Sequence, residues 1–386
     1  MPVPAEDSRD AAILDKRIGV TVLTGFLGSG KTTLLNRLVR TPRFAGAAVV
    51  INEYGSVGID HHLVRGSADT VTVLEGGCIC CLVRGALADT LRDLFMQALR
   101  RTIKPFRHLI IETSGLASPA PILFTLRHEH FLAERYVYEG TIAVADARQL
   151  AGVPSAEPMR APTSTTVPTP DASPTLLPLP AEMTQQLALA DQIVIGKADL
   201  ASPREIDSAR ARAGAINPSA AVHVLRPDAE LPSLLLADGG YRKGSPASGA
   251  GWLGRFVSAS GEGMAGGQGE GAEAGIRFSA GGAAHDVAVC THVYTEPVAR
   301  AAFLLRMSAL QESLGESLLR VKGLVYFSDG SGPWVVHGVH RELYPLVALD
   351  GWPDHDHPYQ DHASRLVFIV RGMSSAALAT MLRERL

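Results

Sequence analysis

The sequence predicts an α/β protein: a doubly wound, mostly parallel sheet, followed by a smaller C-terminal α+β domain. Three observations predict it. Short, continuously apolar runs recur through the first 226 residues, with helical stretches between them. A glycine-rich turn joins the first run to a helix. A long glycine-rich stretch then sets these elements apart from a second series of strands and helices.

Taken in order, residues 1–16 read as an N-terminal tail and 17–226 as the first domain. "IGVTVL" (18–23) is β-branched and ends in the glycine-rich turn; "KTTLLNRLVR" then reads as a helix. Further strands are expected at "AAVVI" (47–51), "VTVL" (71–74), "HLII" (108–111), "TIAVA" (141–145), "QIVI" (192–195) and "AVHVL" (221–225). Continuous rather than alternating apolarity suits strands covered on both faces, as in a parallel sheet. Helices are expected at 85–101 and 203–213, among others.

Two stretches interrupt this order. Residues 154–180 contain eight prolines and read as an extended surface insertion. Residues 227–284 read as a linker; its core, 238–284, has fifteen glycines in forty-seven positions and too few apolar residues to pack. The final domain, 285–386, is expected to contain strands at "HDVAVCTHVY", "VKGLVYFS", "PWVVHGV" and "SRLVFIV". Its helices are expected at "PVARAAFLLRMSALQESLG" and 374–386.

Composition excludes several function classes. The net charge of −3 gives no bulk basicity for nucleic acid or an acidic membrane surface, so neither is expected as a partner. No run approaches the ~18 apolar residues of a membrane span, and the polar beginning is unlike a secretory leader. Four cysteines, three of them within four positions, do not make a disulfide scaffold, and a cytoplasmic protein with reduced thiols is expected. Lysine is scarce, at positions 16, 31, 104, 197, 243 and 322, against thirty arginines. The two exchange freely on a surface but not where a compact ammonium is required, so the retained lysines are candidates for special roles.

"GFLGSGKT" (25–32) matches G-x-x-x-x-G-K-[ST] in full, between a strand and a helix. Gly25, Gly28, Ser29 and Gly30 allow backbone N–H groups to curl around phosphate oxygens at a helix N-terminus. Lys31 reaches the β/γ-phosphates, the Thr32 hydroxyl suits Mg²⁺, and Thr33 completes the first helical turn. The fold is therefore expected to be that of a P-loop NTPase. "LIIETSG" (109–115) ends a buried strand in Glu112, placed to act on Mg²⁺ through a water or to orient the attacking water. "IVIGKADL" (193–200) is close to the guanine-reading N-K-x-D pattern. Asp199 can accept from guanine N1–H and the 2-amino group, which adenine lacks, and the Lys197 stem can lie over the base. Gly196 stands where that pattern has Asn.

"GGCICC" (76–81) brings together Cys78, Cys80 and Cys81 after two glycines. Thiolates bind borderline cations, Zn²⁺ foremost, and three ligands suit an exchangeable site better than a closed structural one. An extended segment points Cys81 away from Cys78 and Cys80, so all three reach one ion only around a sharp bend. "INEYGSVGID" (51–60) reads as a loop able to respond to a γ-phosphate, and Glu53 within it is a possible oxygen ligand. "DHDHPYQDH" (354–362) is either a loose metal site or a polar surface loop.

Together, "GFLGSGKTT", "NEYGSVGID", "GGCICC", "ETSGLASP", the partial "GKADL", and "RVKGL" and "SRLVFI" resemble the CobW-type P-loop GTPases. The resemblance spans all but the tail, the proline insertion and the glycine linker. It implies GTP hydrolysis coupled to delivery of Zn²⁺ from Cys78, Cys80 and Cys81 to a client metalloprotein or metal-insertion machinery. An alternative within the family is Co²⁺ handling for cobalamin biosynthesis. An alternative of another class is a small-molecule kinase with a structural zinc turn. Many relatives carry a histidine-rich central stretch, whereas 154–180 and 238–284 contain no histidine.

Overall fold

The computed structural model describes residues 16–51, 72–75, 84–152, 178–236, 276–278, 286–330, 332–349, 351–352 and 363–386. The first part runs β1 (Ile18–Gly25), α1 (Lys31–Leu38), β2 (Ala48–Ile51), β3 (Thr72–Glu75), α2 (Arg84–Leu99), β4 (His108–Glu112), α3 (Ala120–His128) and α4 (His130–Arg135). It continues with β5 (Tyr136–Asp146), α5 (Ala147–Ala151), α6 (Ala181–Leu189), β6 (Gln192–Gly196), α7 (Pro203–Ile216) and β7 (Ala221–Val224). These strands form one sheet in the order β3-β2-β4-β1-β5-β6-β7, and every pairing is parallel.

Alternation along each strand divides the core. Ile142 and Val144 of β5 face α1 with Leu34, Leu35 and Leu38, while Ala143 and Ala145 face α5, α6 and α7. On that second face, toward β2 and β4, Val50 and Ile111 pack with α2, α3 and α4. The sheet is thus covered on both faces, as its continuous apolar runs require. Helix starts follow local chemistry: Ser202 and Glu205 form a reciprocal capping box on α7, and Asp146 caps α5.

The second part comprises β8 (Ile276–Phe278), β9 (Val287–Tyr294), α8 (Arg300–Leu314), β10 (Leu318–Tyr326), β11 (Pro333–Val339), β12 (Glu342–Leu343), β13 (Val347–Ala348), β14 (Ser364–Arg371) and α9 (Ser375–Arg385). Its sheet is antiparallel, in the order β12-β11-β10-β14-β9-β8, with β13 also paired to β11. One face packs on α8 and α9 through Val321, Val325 and Phe368. The other, through Leu319, Leu324, Val335 and Val367, shares a single core with α5, α6 and α7. The three helices are therefore sandwiched between the two sheets.

Polar groups are embedded in that junction. Arg320 and Lys322 of β10 are 0% and 1% exposed, and both reach the Asp191 carboxylate that precedes β6. Lys322 Nζ donates to Asp191 Oδ1 over 2.6 Å, and Arg320 also donates to the Leu189 carbonyl. Asp191 Oδ2 accepts from the Tyr138 hydroxyl at 2.6 Å and from the Thr141 N–H at 2.9 Å. His337 of β11 stacks on Tyr138 and Tyr344.

Two pieces of the stretch expected to be linker carry structure. Leu231 and Leu235 pack on the α1 side of the first core, and Ile276–Phe278 adds β8 to the edge of the second sheet. Three residues among many glycines suffice there because β9 supplies the template. The rest of 238–284, the proline insertion up to 177, and the 354–362 cluster lie outside the described residues. No helix among the described residues is long and apolar enough to cross a membrane.

Candidate functional site

The glycine-rich turn joins the carboxyl end of β1 to α1. Gly28 and Gly30 have φ of +69° and +99°, and a Cβ at either would meet nothing within 4 Å. These backbone positions favour glycine and leave the space before them clear, which is the cradle a phosphate needs. Ser29 Oγ is buried without a hydrogen-bond partner among the described residues, an orphan that a phosphate oxygen would satisfy. Lys31 Nζ folds back on the carbonyls of Gly25 and Phe26, at 3.0 and 3.4 Å. Thr33 follows in the first turn of α1.

Glu112 ends β4 beside this turn, because its register partner on β1 is Leu23. It is 5% exposed, and the Thr32 hydroxyl donates to its Oε1 over 3.1 Å. A hydroxyl and a carboxylate side by side form the hard oxygen pair that suits Mg²⁺. Beyond Glu112, the Thr113 and Thr24 hydroxyls bond at 2.8 Å. A Cβ on Gly115 would come within 2.5 Å of the Leu27 side chain, so the segment after Glu112 packs closely on the phosphate loop. Gln186 of α6 holds that segment by donating to the carbonyls of Gly115 and Ala117, each at 3.1 Å.

Lys197 and Asp199 follow β6 on the same edge of the sheet. Lys197 has φ +54°, and the Leu200 N–H returns to its carbonyl at 3.0 Å, closing a turn that contains Asp199. A Cβ on Gly196 would lie 3.6 Å from the Ser29 carbonyl, so this loop abuts the phosphate loop. Lys197 Nζ pairs with Asp146 Oδ2 at 2.9 Å.

Cys78, Cys80, Cys81 and Glu53 lie outside the described residues. The strands that lead to them are described. Ile51 pairs in register with both Glu75 and Glu112, so the chain leaves β2, β3 and β4 at one level. Adjacent strands lie ~4.8 Å apart, which puts the departure from β3 about 10 Å from Glu112. No cluster of three or more His, Cys, Asp or Glu suited to a metal occurs among the described residues. Cys290 is buried in β9, and burial pushes its thiol up to about 11, an inert core position.

Sequence reasoning missed Asp146, Gln186 and the Asp191–Arg320–Lys322 junction. Asp146 had a local signal, an acid at a strand end just before a helix. Gln186 had none, since its partners lie some seventy residues earlier.

Residues 19–224 match the CobW/HypB/UreG nucleotide-binding domain, and residues 287–386 match the CobW C-terminal domain. The chain belongs to the CobW/HypB/UreG family. Among curated relatives it is 42% identical over 130 residues to the zinc chaperone YjiA of Escherichia coli, covering 34% of this chain and 41% of that protein. It is 36% identical over 141 residues to the zinc chaperone CobW of a Sinorhizobium species, covering 35% of this chain and 38% of that one. These matches thus span about two fifths of either relative. The crystal structure of Zn(II)-bound YjiA GTPase from E. coli superposes with a TM-score of 0.58 at 21% identity, over 96% of this chain and 99% of that one. That likeness supports the two-part fold of this CobW-family chain.

Proposed function

We propose that this protein is a GTP-hydrolysing metallochaperone that carries a transition metal, zinc foremost, at Cys78, Cys80 and Cys81 and passes it to a client metalloprotein. The observation that carries the reading is the common level at which β2, β3 and β4 end. It brings the exits toward Glu53 and the cysteine turn onto the edge where Glu112 meets Thr32. A change at the γ-phosphate has a short path to the ends of β2 and β3, from which the chain continues toward those residues.

In the nucleotide-bound state Lys31 exchanges its two backbone carbonyls for the β/γ-phosphates, and Ser29 Oγ and the loop N–H groups take the remaining oxygens. Thr32 and Glu112 would hold Mg²⁺, which supplies charge neutralisation on the phosphates. Glu112 also orients the attacking water, and Asp199 reads the guanine edge. Relatives named as zinc chaperones support the choice of metal.

The test is metal affinity by competition with a chromophoric chelator in the GTP-analogue and GDP states, alongside GTP turnover. Coupling of ~1–3 kcal/mol would separate the two affinities by ~5–150-fold. Replacing Cys80 and Cys81 by serine should remove binding and difference together, and Lys31→Ala should abolish turnover. Equal affinities with either nucleotide would make the cysteine turn a passive site.

A further inference from the structure

We propose that Asp146 is the positioning residue for the base-reading loop, anchoring Lys197 and Asp199 to β5 rather than to the phosphate loop; the proposal rests on the guanine reading above. In the N-K-x-D pattern the asparagine amide would be the tether to the phosphate loop. Gly196 has no side chain to serve, although the space is there: a Cβ would sit 3.6 Å from the Ser29 carbonyl and 3.9 Å from that of Ala145.

The loop is nevertheless held. Asp146 and Gly196 are register partners on adjacent parallel strands, so the carboxylate stands beside the start of the loop. Its two oxygens divide the work. Oδ1 accepts from the N–H groups of Arg148 and Gln149, at 2.9 and 3.3 Å, and so is locked at the N-terminus of α5. Oδ2 is thereby aimed at Lys197 Nζ, 2.9 Å away. The Asp146 side chain is 12% exposed and that of Lys197 39%, so water partly screens the pair and its effect is mainly to fix where the ammonium sits.

The ammonium is held at the residue that needs holding. Lys197 adopts φ +54°, in the left-handed region that a non-glycine residue leaves readily. Its carbonyl closes the turn carrying Asp199, through the Leu200 N–H. Release of Nζ frees the stem that lies over the base and the turn that aims the carboxylate at guanine N1–H and the 2-amino group. Phosphate contacts from Ser29, Lys31 and Thr32 are untouched. Loss of the anchor therefore weakens nucleotides according to their base, not their phosphates.

The experiment measures GTP and ATP affinities of the full chain by titration calorimetry, with thermal melting of each variant. Asp146→Asn keeps an oxygen to cap α5 but presents an amide in place of the carboxylate. It should weaken GTP about tenfold, leave ATP unchanged, and so reduce the GTP/ATP ratio about tenfold. Lys197→Met keeps the stem, does not touch the cap, and should show the same change of ratio even if Asp146→Asn melts early. Adding Gly196→Asn to Asp146→Asn supplies an amide within reach of the Ser29 carbonyl and should restore at least half of the lost selectivity on a logarithmic scale. A parent that prefers GTP, with a ratio unchanged in both single variants or with GTP and ATP weakened alike, overturns this proposal alone. A parent that binds GTP and ATP equally overturns the guanine reading and this proposal with it.

Discussion

Asp191 ties the first sheet to β10 through Arg320 and Lys322. Burial works against its charge, yet Arg320 and Lys322 hold its carboxyl well below the usual range. Two cations share one anion, so the partners are not equivalent. Asp191→Asn strands the buried Arg320 guanidinium and deprives Lys322 of its counter-charge, and should destabilise the protein by ~3–5 kcal/mol in chemical denaturation. Lys322→Met leaves the Arg320–Asp191 pair intact and removes the ammonium that is expensive to bury, so it should change stability by less than ~1.5 kcal/mol. Equal losses in both variants would show that the site balances as a triad. At this scale the phosphate loop was legible because its pattern is local in the chain. The phosphate loop is eight consecutive residues, and its glycines, Lys31 and Thr32 lie where the motif expects them. Lys322 drew notice through the rarity of lysine, but its partner lies 131 residues earlier, and no local pattern joins the two.

Among the elements, α3 links the two parts of the molecule. It begins just after the segment that runs from Glu112 and is held by Gln186. It ends at Arg127 and His128, which meet Glu342 of β12 at 3.3 and 2.7 Å. Arg127 also lies over the Tyr344 ring, 5.3 Å from its centroid. These three side chains are 24–45% exposed, so water screens them. Glu342→Ala should therefore lower stability by less than ~1 kcal/mol, and added salt should shrink the difference further. A larger, salt-insensitive loss would mean that the end of α3 is fixed as firmly as the Asp191 junction. The reading of elements from sequence failed in instructive places. β5 was expected at 141–145 but spans Tyr136–Asp146, because Glu139 and Gly140 break the apolar run. Glu139 tolerates burial by pairing with Arg43 and His108, both distant in sequence. β12 and β13 are two residues each, too short for any periodicity, and exist because β11 pairs with them.

For the whole molecule, the junction makes stability depend on pH. Burial, then Arg320, drives His337 well below its ordinary value; Lys322 and Arg127 add to this, and Asp191 opposes it. Burial pushes Lys322 down to about 7, with Arg320 adding and Asp191 resisting. Both bases take up protons more readily in the unfolded chain, so stability rises with pH wherever that difference persists. For His337 the loss begins as pH falls through ~6.5; for Lys322 stability rises between about 7 and ~10.4. The melting temperature should therefore fall steadily from pH 9 to pH 5.5. His337→Phe, which keeps a ring against Tyr138 and Tyr344, should flatten the acid half of that profile, and Lys322→Met the alkaline half. A slope unchanged in both variants would move its origin elsewhere in the chain.

The core shared by α5, α6 and α7 with the second sheet has a consequence for covalent continuity. Among the described residues, that core draws no member from between residues 236 and 276. A chain severed at a protease site engineered near residue 255 should remain a one-to-one heterodimer, held by the same apolar seam and by Asp191. The two halves, expressed as separate polypeptides, should be sticky alone and soluble together, because each lacks the lid that the other provides. β8 would travel with the C-terminal half, paired to β9. Such a split protein would melt at a temperature that depends on concentration, as an obligate complex does.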